Sequence, residues 1–419
     1  MTTQAALSLI ILLLVAVFMI LDIIPTSVVA IIGALACGFL GLVDLGSIFA
    51  TMGTETMILL VGLSIVGSAM FKTGLATRIG RFMMKLFGKS ETGVYIAAMV
   101  IGTTLSAVAS NTAVVITMIP LVCTMCKEVK VSPSRILYPM VAACSFGSAL
   151  TLIGTPSNIA GNTILAKFDL PTMGFFDVAW VGVPLTVIGY LYMMTLGKKT
   201  LPPNTESSVD ISETKDPGPW DKKTILTAVI CAVTLAVMVI QPDFLPLSAI
   251  ALCGAVILIV TRCVSEREAY QSIDLSTMFL FTGLMTITTA VNNSGGGTLL
   301  AGLIMKMIGN NTNPYVITTI LGTICVILTS FISNTAATMI LGTVAVYVAQ
   351  ASGLNPFTLV MVVVITANAC FATPVGGIAS TLIMKPGNYK FRDFVRMGWP
   401  LSLINLIIAI LVIPLVWSF

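Results

Sequence analysis

The second half of the amino-acid sequence repeats features of the first half, and this internal duplication limits the folds that the chain can adopt. The tripeptide Ser-Asn-Thr occurs inside an apolar stretch at 110–112 and again at 333–335. Pro25 and Pro246 are related by nearly the same offset, as are Gly74 and Gly295. In a membrane chain, paired repeats that carry polar residues at matching points indicate a transporter whose site lies where the repeats meet.

The composition indicates that the chain lies in a lipid bilayer. Hydrophobic residues make up 57% of the 419 residues and charged residues 9%, and the mean hydropathy is +1.04. A soluble domain carries far more charge. The first apolar segment lacks a basic leader and a small-residue cleavage site, which predicts a retained helix. The segments long enough to span are 5–24, 26–43, 55–71, 136–166, 178–197, 224–241, 246–261, 275–291, 355–384 and 399–418.

A polar linker at 198–223 separates repeat 1 (1–197) from repeat 2 (224–419). Each repeat is predicted to contain three scaffold helices, an amphipathic stretch, a helical hairpin, a broken helix and a final helix. In repeat 1 these are scaffold helices 5–71, interfacial helix 73–89, hairpin 93–126, broken helix 136–166 and helix 178–197. In repeat 2 they are scaffold helices 224–291, hairpin 315–350, broken helix 355–384 and helix 399–418.

The hairpins are predicted from length. Arms 93–108 and 112–126 have about 15 residues each, or about 22 Å of helix, which is less than the apolar thickness of a bilayer. Each hairpin should therefore enter the membrane and return on the same side. Each repeat then crosses five times, and two repeats with an odd number of crossings must be inverted relative to each other. The predicted fold class is an all-α polytopic membrane protein built as an inverted repeat of two five-helix units, each with a re-entrant hairpin and a broken helix.

The basic residues give an independent prediction of sidedness. Of the 21 Lys and Arg residues, all but Lys167 and Lys306 fall on one side of this topology. Basic loops mark the cytoplasmic side. The chain is therefore predicted to be a multi-pass protein of the cell membrane, with both termini outside and the linker 198–223 in the cytoplasm. Hairpin 1 should open to the cytoplasm and hairpin 2 to the outside.

Four neutral polar elements lie at membrane depth, namely the two hairpin tips and the helix breaks at 154–158 and 373–377. Irregular backbone is tolerated there only inside protein or beside a water-filled cavity. The chain has no histidine, and no Asp or Glu lies near the middle of a span, so a proton relay lacks a carrier. Free carbonyls and hydroxyls suit sodium, whereas helix N-termini suit an anion. The acidic residues at segment ends are interpreted as solvated: Asp22, Asp44, Glu55, Asp177 and Asp243.

These elements resemble the divalent anion:sodium symporter (DASS) family of the ion transporter superfamily, over essentially the whole chain. The resemblance implies a homodimeric elevator-type carrier that moves di- or tricarboxylates, or sulfate, together with Na+. The motifs that carry it are Ser110-Asn111-Thr112-Ala113, Ser333-Asn334-Thr335-Ala336 and Gly154-Thr155-Pro156-Ser157-Asn158.

The resemblance also implies the site residues. The first sodium site would use Ser106, Ser110, Asn111 and the carbonyl of Gly154. The second would use Thr329, Ser333, Asn334 and the carbonyl of Gly376. The substrate would contact Asn111, Thr112, Asn334 and Thr335. The family's Thr-Pro-Pro-Asn-like run is absent from the second break, and two alignments there place either Gly377 or Thr373 against the substrate.

The predicted function is sodium-driven uptake of a small anion such as succinate or malate, with sodium and the lipid bilayer as partners and no nucleic acid. Na+ is expected as a coupling ion and not as a prosthetic group. A sodium-independent anion exchanger, or a sulfate or arsenite permease of the same superfamily, is the alternative. An enzyme is not expected, because the sequence offers neither a Ser–His pair nor an HExxH arrangement.

Overall fold

The structure, a computed structural model, describes residues 3–87, 90–202, 220–242, 244–307 and 312–419. All regular secondary structure in these ranges is helical, which confirms the all-α fold. The centre of the predicted linker, Asp243 and the end of the interfacial stretch at Lys89 lie outside the described residues.

The described part of the first half contains eleven α-helices. A π-helical turn, Met193–Gly197, joins the last two of them. The helices are α1 (Thr3–Leu21), α2 (Thr26–Phe39), α3 (Leu45–Ala50), α4 (Glu55–Lys72), α5 (Leu75–Phe87), α6 (Glu91–Ser106), α7 (Asn111–Glu128), α8 (Leu137–Ser148), α9 (Pro156–Lys167), α10 (Ala179–Tyr192) and α11 (Lys198–Thr200).

The second half repeats the order of the first ten helices. Its members are α12 (Lys222–Ile240), α13 (Leu247–Val260), α14 (Glu266–Gln271), α15 (Leu275–Asn293), α16 (Gly296–Met307), α17 (Pro314–Thr329), α18 (Asn334–Ser352), α19 (Pro356–Ala367), α20 (Ile378–Met384) and α21 (Phe391–Val416).

The helix ends repeat as well, because the residues that stop the helices recur in the left-handed conformation. A residue with positive φ commonly ends a helix, and this conformation is unfavourable for most residues other than glycine, Asn and Asp. Every described residue with positive φ has a counterpart at nearly the same offset in the other half. The pairs are Asp22 with Gln241, Gly41 with Arg262, Gly74 with Gly295, Lys130 with Gly353, and Asp169 with Asn388.

The two halves pack closely against each other through small residues, where α4 crosses α13 and where α15 crosses α2. A Cβ atom on Gly62 of α4 would lie 2.7 Å from the Ala251 carbonyl carbon of α13. At the matching positions, a Cβ on Gly283 of α15 would collide with the backbone of Ala30 in α2. Glycine and alanine at these crossings let the helix backbones approach closely, as is common between membrane helices.

Seven described helices are long and apolar enough to cross a membrane, or eight if the strongly bent pair α7 and α8 is counted as one span. The count of ten crossings stays a prediction. Helices α2 and α13 have 14 residues each, and the broken helices are divided into short pieces. Length alone therefore does not identify these helices as membrane spans.

Several predicted boundaries were wrong. The second hairpin arms, α7 with 18 residues and α18 with 19, are longer than the predicted arms 112–126 and 335–350. Helix α18 is long enough to span, but 83% of its apolar window is buried inside the protein. The breaks extend over 149–155 and 368–377, and the last helix begins at Phe391 instead of 399.

Candidate functional site

The two Ser-Asn-Thr tips begin the second arm of each hairpin. Ser110 caps α7 by accepting a hydrogen bond from the Ala113 amide at 3.3 Å. Ser333 caps α18 through the Ala336 amide, also at 3.3 Å. Such caps leave other first-turn amides free to face a ligand. Thr112 is half-buried and Thr335 is buried in these same first turns.

A threonine ties each break to the first arm of the hairpin in its own half. The Thr151 hydroxyl donates to the Ala107 carbonyl at 2.5 Å, and the Thr373 hydroxyl donates to the Ser330 carbonyl at the same distance. Thr373, one of the two alternative substrate contacts, therefore directs its hydroxyl at the hairpin backbone. Gly377, the other alternative, is half-buried at the start of α20.

Glycines allow each break to approach the backbone around the predicted cation sites. A Cβ on Gly154 would lie 2.6 Å from the Ser148 carbonyl oxygen. A Cβ on Gly376 would collide with the Thr329 carbonyl oxygen and the Cys370 sulfur. Gly376 is thus next to Thr329, as the predicted second site requires.

The first predicted sodium site contains a buried oxygen atom that the protein leaves unpaired. The side-chain oxygen of Asn111 is buried and accepts no hydrogen bond. The Ser106 hydroxyl is also fully buried, and its one partner is the sulfur of Cys144, a weak acceptor. Burying an unpaired polar atom costs about 1–3 kcal/mol. A cation bound to the Asn111 oxygen would offset that cost.

The second predicted sodium site has more hydrogen-bond acceptors than donors. The Thr329 hydroxyl lies 2.9 Å from the side-chain oxygen of Asn334 and 2.7 Å from the Ala367 carbonyl. A hydroxyl has one proton, so it can donate to only one of these acceptors at a time. The lone pairs in excess fit a small cation. Ala367 was not predicted as part of this site.

A chain of amides connects the second tip to the first break. The Asn334 amide nitrogen lies 3.4 Å from the Asn368 oxygen, and the Asn368 nitrogen donates to the Asn158 oxygen at 3.0 Å. The Asn158 nitrogen donates to the carbonyls of Ser148 and Thr151, at 2.8 and 2.9 Å.

A cavity of about 480 Å³ lies between the first tip and helix α4. Hydroxyl groups from several elements line it, and Lys72 and Asp274 also line it. Among the described residues, its walls come from the first tip and not from the second. The hydroxyls belong to Ser64, Ser68, Ser110, Thr117, Ser272 and Thr277.

The arm behind the second tip packs directly on α15. The hydroxyls of Thr288 in α15 and Thr343 in α18 lie 3.2 Å apart. A smaller cavity of about 230 Å³ lies near Glu55 and Gln241. There the Thr56 and Thr163 hydroxyls join α4 to α9 at 3.1 Å. The two halves are thus similar in sequence but differ in packing.

The family profile described as citrate transporter (CitMHS) matches residues 16–354. The chain belongs to the citrate transporter family. Relatives of this citrate transporter family member include proteins named sodium-dependent dicarboxylate transporters. Together these matches confirm the resemblance to the sodium symporters of the ion transporter superfamily.

Two relatives and one solved structure illustrate the membership. The uncharacterized transporter YfbS of Escherichia coli is 31% identical over 192 residues, which cover 46% of this chain and only 31% of YfbS. The sodium-dependent dicarboxylate transporter SdcS of Staphylococcus saprophyticus is 24% identical, over 87% of this chain and 77% of SdcS. The crystal structure of the Alcanivorax borkumensis YdaH transporter, described as having an unusual topology, has the same fold at 15% identity, with a TM-score of 0.64 over 98% and 97% of the two chains.

Membership of this family, together with the seven long apolar helices, fits a multi-pass membrane protein. At the second predicted cation site, Thr329 contacts both Asn334 and Gly376. At the first, Ser106 ends α6 four residues before Ser110. Both cation sites stay predictions. Asn158 was part of a predicted motif but had no role, and Asn368 was missed. An amide at the end of an otherwise apolar helix was the signal available for Asn368, because such a group must find partners inside the protein.

Proposed function

We propose that the protein is a sodium-coupled carrier of di- or tricarboxylates. The observation that best supports sodium is the side-chain oxygen of Asn111 in the first tip, which is buried and has no hydrogen-bond partner. A neutral oxygen at membrane depth needs a donor or a cation. The relatives named sodium-dependent dicarboxylate transporters support the same substrate class.

The substrate would bind between the two tips, in contact with Asn111, Thr112, Asn334 and Thr335. Helices α7 and α18 both begin there, and the N-terminal amides of a helix favour a carboxylate. The predicted spans carry no Lys or Arg near their middle. The negative charge would therefore be balanced by bound sodium, which makes anion binding dependent on the cation.

Contacts at the helix ends support the inverted arrangement of the halves. Lys72 pairs with Glu268 at 3.7 Å, and the Thr224 hydroxyl donates to the Thr73 carbonyl, so these basic loops meet on one face. The start of α19, next to the second hairpin, instead meets the C-terminus, where Asn355 donates to the Ser418 carbonyl. We place the basic face in the cytoplasm and both termini outside. The larger cavity then opens inward.

The resemblance adds a homodimer and an elevator motion. In this proposal the hairpins and broken helices move as one transport domain, and helices α1, α2, α12 and α13 belong to the scaffold that carries the dimer contact. The exposed apolar side chains of α1 and α12 leave such a surface to lipid or to a second copy.

Uptake of radiolabelled succinate and citrate into proteoliposomes tests the function. We expect accumulation with an inward sodium gradient and little with an equal potassium gradient. A sodium-independent exchanger is the second candidate. The Thr329 hydroxyl and the Asn334 side-chain oxygen of the second site are within hydrogen-bond distance of each other, so these two groups can pair without an ion. Counterflow that proceeds equally without sodium would favour the exchanger and remove sodium coupling.

A further inference from the structure

Asn158 and Asn368 lie where the two halves meet, and both are buried, with 0% and 2% of their surface exposed. Asn158 belongs to the first turn of α9, and Asn368 follows the last residue of α19. Neither is among the residues expected to bind sodium or substrate. Two buried amides are unfavourable in an apolar interior unless both ends of each are hydrogen-bonded.

The hydrogen bonds of this pair can run in only one direction. The carbonyls of Ser148 and Thr151 accept but cannot donate, so the amide nitrogen of Asn158 must face them. Its oxygen then faces Asn368, which must present its nitrogen. The Val364 carbonyl, 3.2 Å from that nitrogen, fixes the same orientation independently.

The same logic fixes the orientation of Asn334. Because the Asn368 oxygen faces Asn334, the latter must offer its nitrogen there. The Asn334 oxygen is therefore turned toward Thr329 and the second cation site. The backbone of the first break, through two intervening amides, thus sets the direction of a ligand atom in the second half.

We propose that Asn158 and Asn368 are positioning residues that couple the two cation sites. The inference rests on the proposed sodium coupling. Asn158 holds the carbonyls of Ser148 and Thr151, which lead to Gly154, whose own carbonyl belongs to the proposed first site. A sodium ion that fixes this break also fixes the amide chain, and the Asn334 oxygen is then already oriented for the second ion. Sodium binding is cooperative as a result.

The test is a sodium titration of thermal unfolding for the purified full chain, with potassium keeping the ionic strength constant. Wild type should show a sodium-dependent rise in melting temperature with a Hill slope above one. Asn368→Ala should raise the sodium midpoint about five- to tenfold, as expected for the loss of one orienting hydrogen bond, and bring the slope toward one. Asn158→Ala should do the same, and the double variant should add little because both residues act in one chain.

Asn162→Ala is the matched control, because Asn162 also makes two hydrogen bonds through its amide, both to the backbone of Met173. It should lower the melting temperature and leave the sodium midpoint and slope unchanged. If Asn368→Ala does not fold, Asn368→Asp keeps the shape but presents an oxygen to Asn158, and its slope should also fall toward one.

The possible outcomes distinguish a failure of the coupling role from a failure of the proposed sodium-coupled function. A wild type that responds to sodium, together with an Asn368→Ala variant that keeps its midpoint and slope, would overturn the coupling role and leave the sodium sites standing. A midpoint shift of equal size in Asn162→Ala would overturn it too, since any lost amide would then suffice. A wild type indifferent to sodium would overturn the proposed function together with this inference.

Discussion

Asn111 and Asn334 hold equivalent places at the two hairpin tips, yet the protein treats them differently. The Asn111 oxygen is buried without a hydrogen-bond partner. The Asn334 oxygen lies within hydrogen-bond distance of the Thr329 hydroxyl, and the Asn334 nitrogen faces Asn368. The first tip therefore leaves a buried acceptor unpaired, while the second is part of the protein's own hydrogen-bond network.

This difference predicts that the same substitution has effects of different size at the two tips. In potassium, Asn334→Ala should destabilise the protein by about 1–3 kcal/mol, because it leaves buried partners unpaired, whereas Asn111→Ala should cost much less. In sodium, both variants should lose the sodium-dependent rise in melting temperature. Melting curves in the two salts would measure this. If both variants kept a wild-type response to sodium, the predicted cation sites would be wrong.

The sequence was sufficient to predict that the two tripeptides hold equivalent places, and each does start the second helix of its pair. They could be singled out because they are duplicated, and a matched pair of polar tripeptides in apolar surroundings has few structural explanations. It was insufficient for Asn368 and Ala367. Asn368 has no amide counterpart near the matching position of the first half, where Ser148 and Ala149 stand, and a backbone carbonyl such as that of Ala367 carries no side-chain signal at all.

At the scale of the helices, the close packing of the two helix breaks depends on one glycine in each break. Gly154→Ala and Gly376→Ala would each push a Cβ into a carbonyl oxygen, and rigid backbone on both sides cannot move aside cheaply. We expect both variants to lose most sodium-driven uptake. Gly302→Ala in α16 is the control, because nothing lies within 4 Å of its added Cβ; in a helix this change should stabilise by about 0.5–1 kcal/mol.

Full transport by Gly154→Ala would show that the first break does not need this close approach. Uptake should be normalised to folded protein in the liposomes, so that a loss of expression is not mistaken for a loss of transport.

The sequence predicted the type and order of most helices but not all of their ends. Hydrophobic segments and the spacing of glycine and proline predicted the paired helices α6–α7 and α17–α18 and the interruptions that follow α8 and α19. That the pairs are re-entrant stays a prediction. The lengths of the breaks and of the second arms were missed, since an apolar residue just outside a helix resembles one inside it. The start of α21 at Phe391 was missed because its first turns carry Arg392 and Arg396, which are rare within a span.

For the protein as a whole, the inverted arrangement can be tested at a pair of equivalent positions. Glu128 ends α7 and Ala351 lies at the matching place near the end of α18, and both are exposed. In intact cells, a membrane-impermeant maleimide should label Ala351→Cys and spare Glu128→Cys until the membrane is permeabilised. The exposed native Cys253 is replaced by serine in both variants.

Labelling of both positions in intact cells would place the two hairpins on one side and rule out inverted halves. The wild-type protein with Cys253→Ser alone supplies the background for the other native cysteines, all of which are buried.

The space of about 480 Å³ before the first tip, which the second tip does not line, has a consequence for inhibitors. A rigid polycarboxylate that occupies this space and reaches from the tip to α4 would keep the two from closing on each other. It would block turnover without being carried, and only when supplied from the basic face. Compounds selected for this gap would thus distinguish the two sides of the membrane, which a simple substrate analogue cannot do.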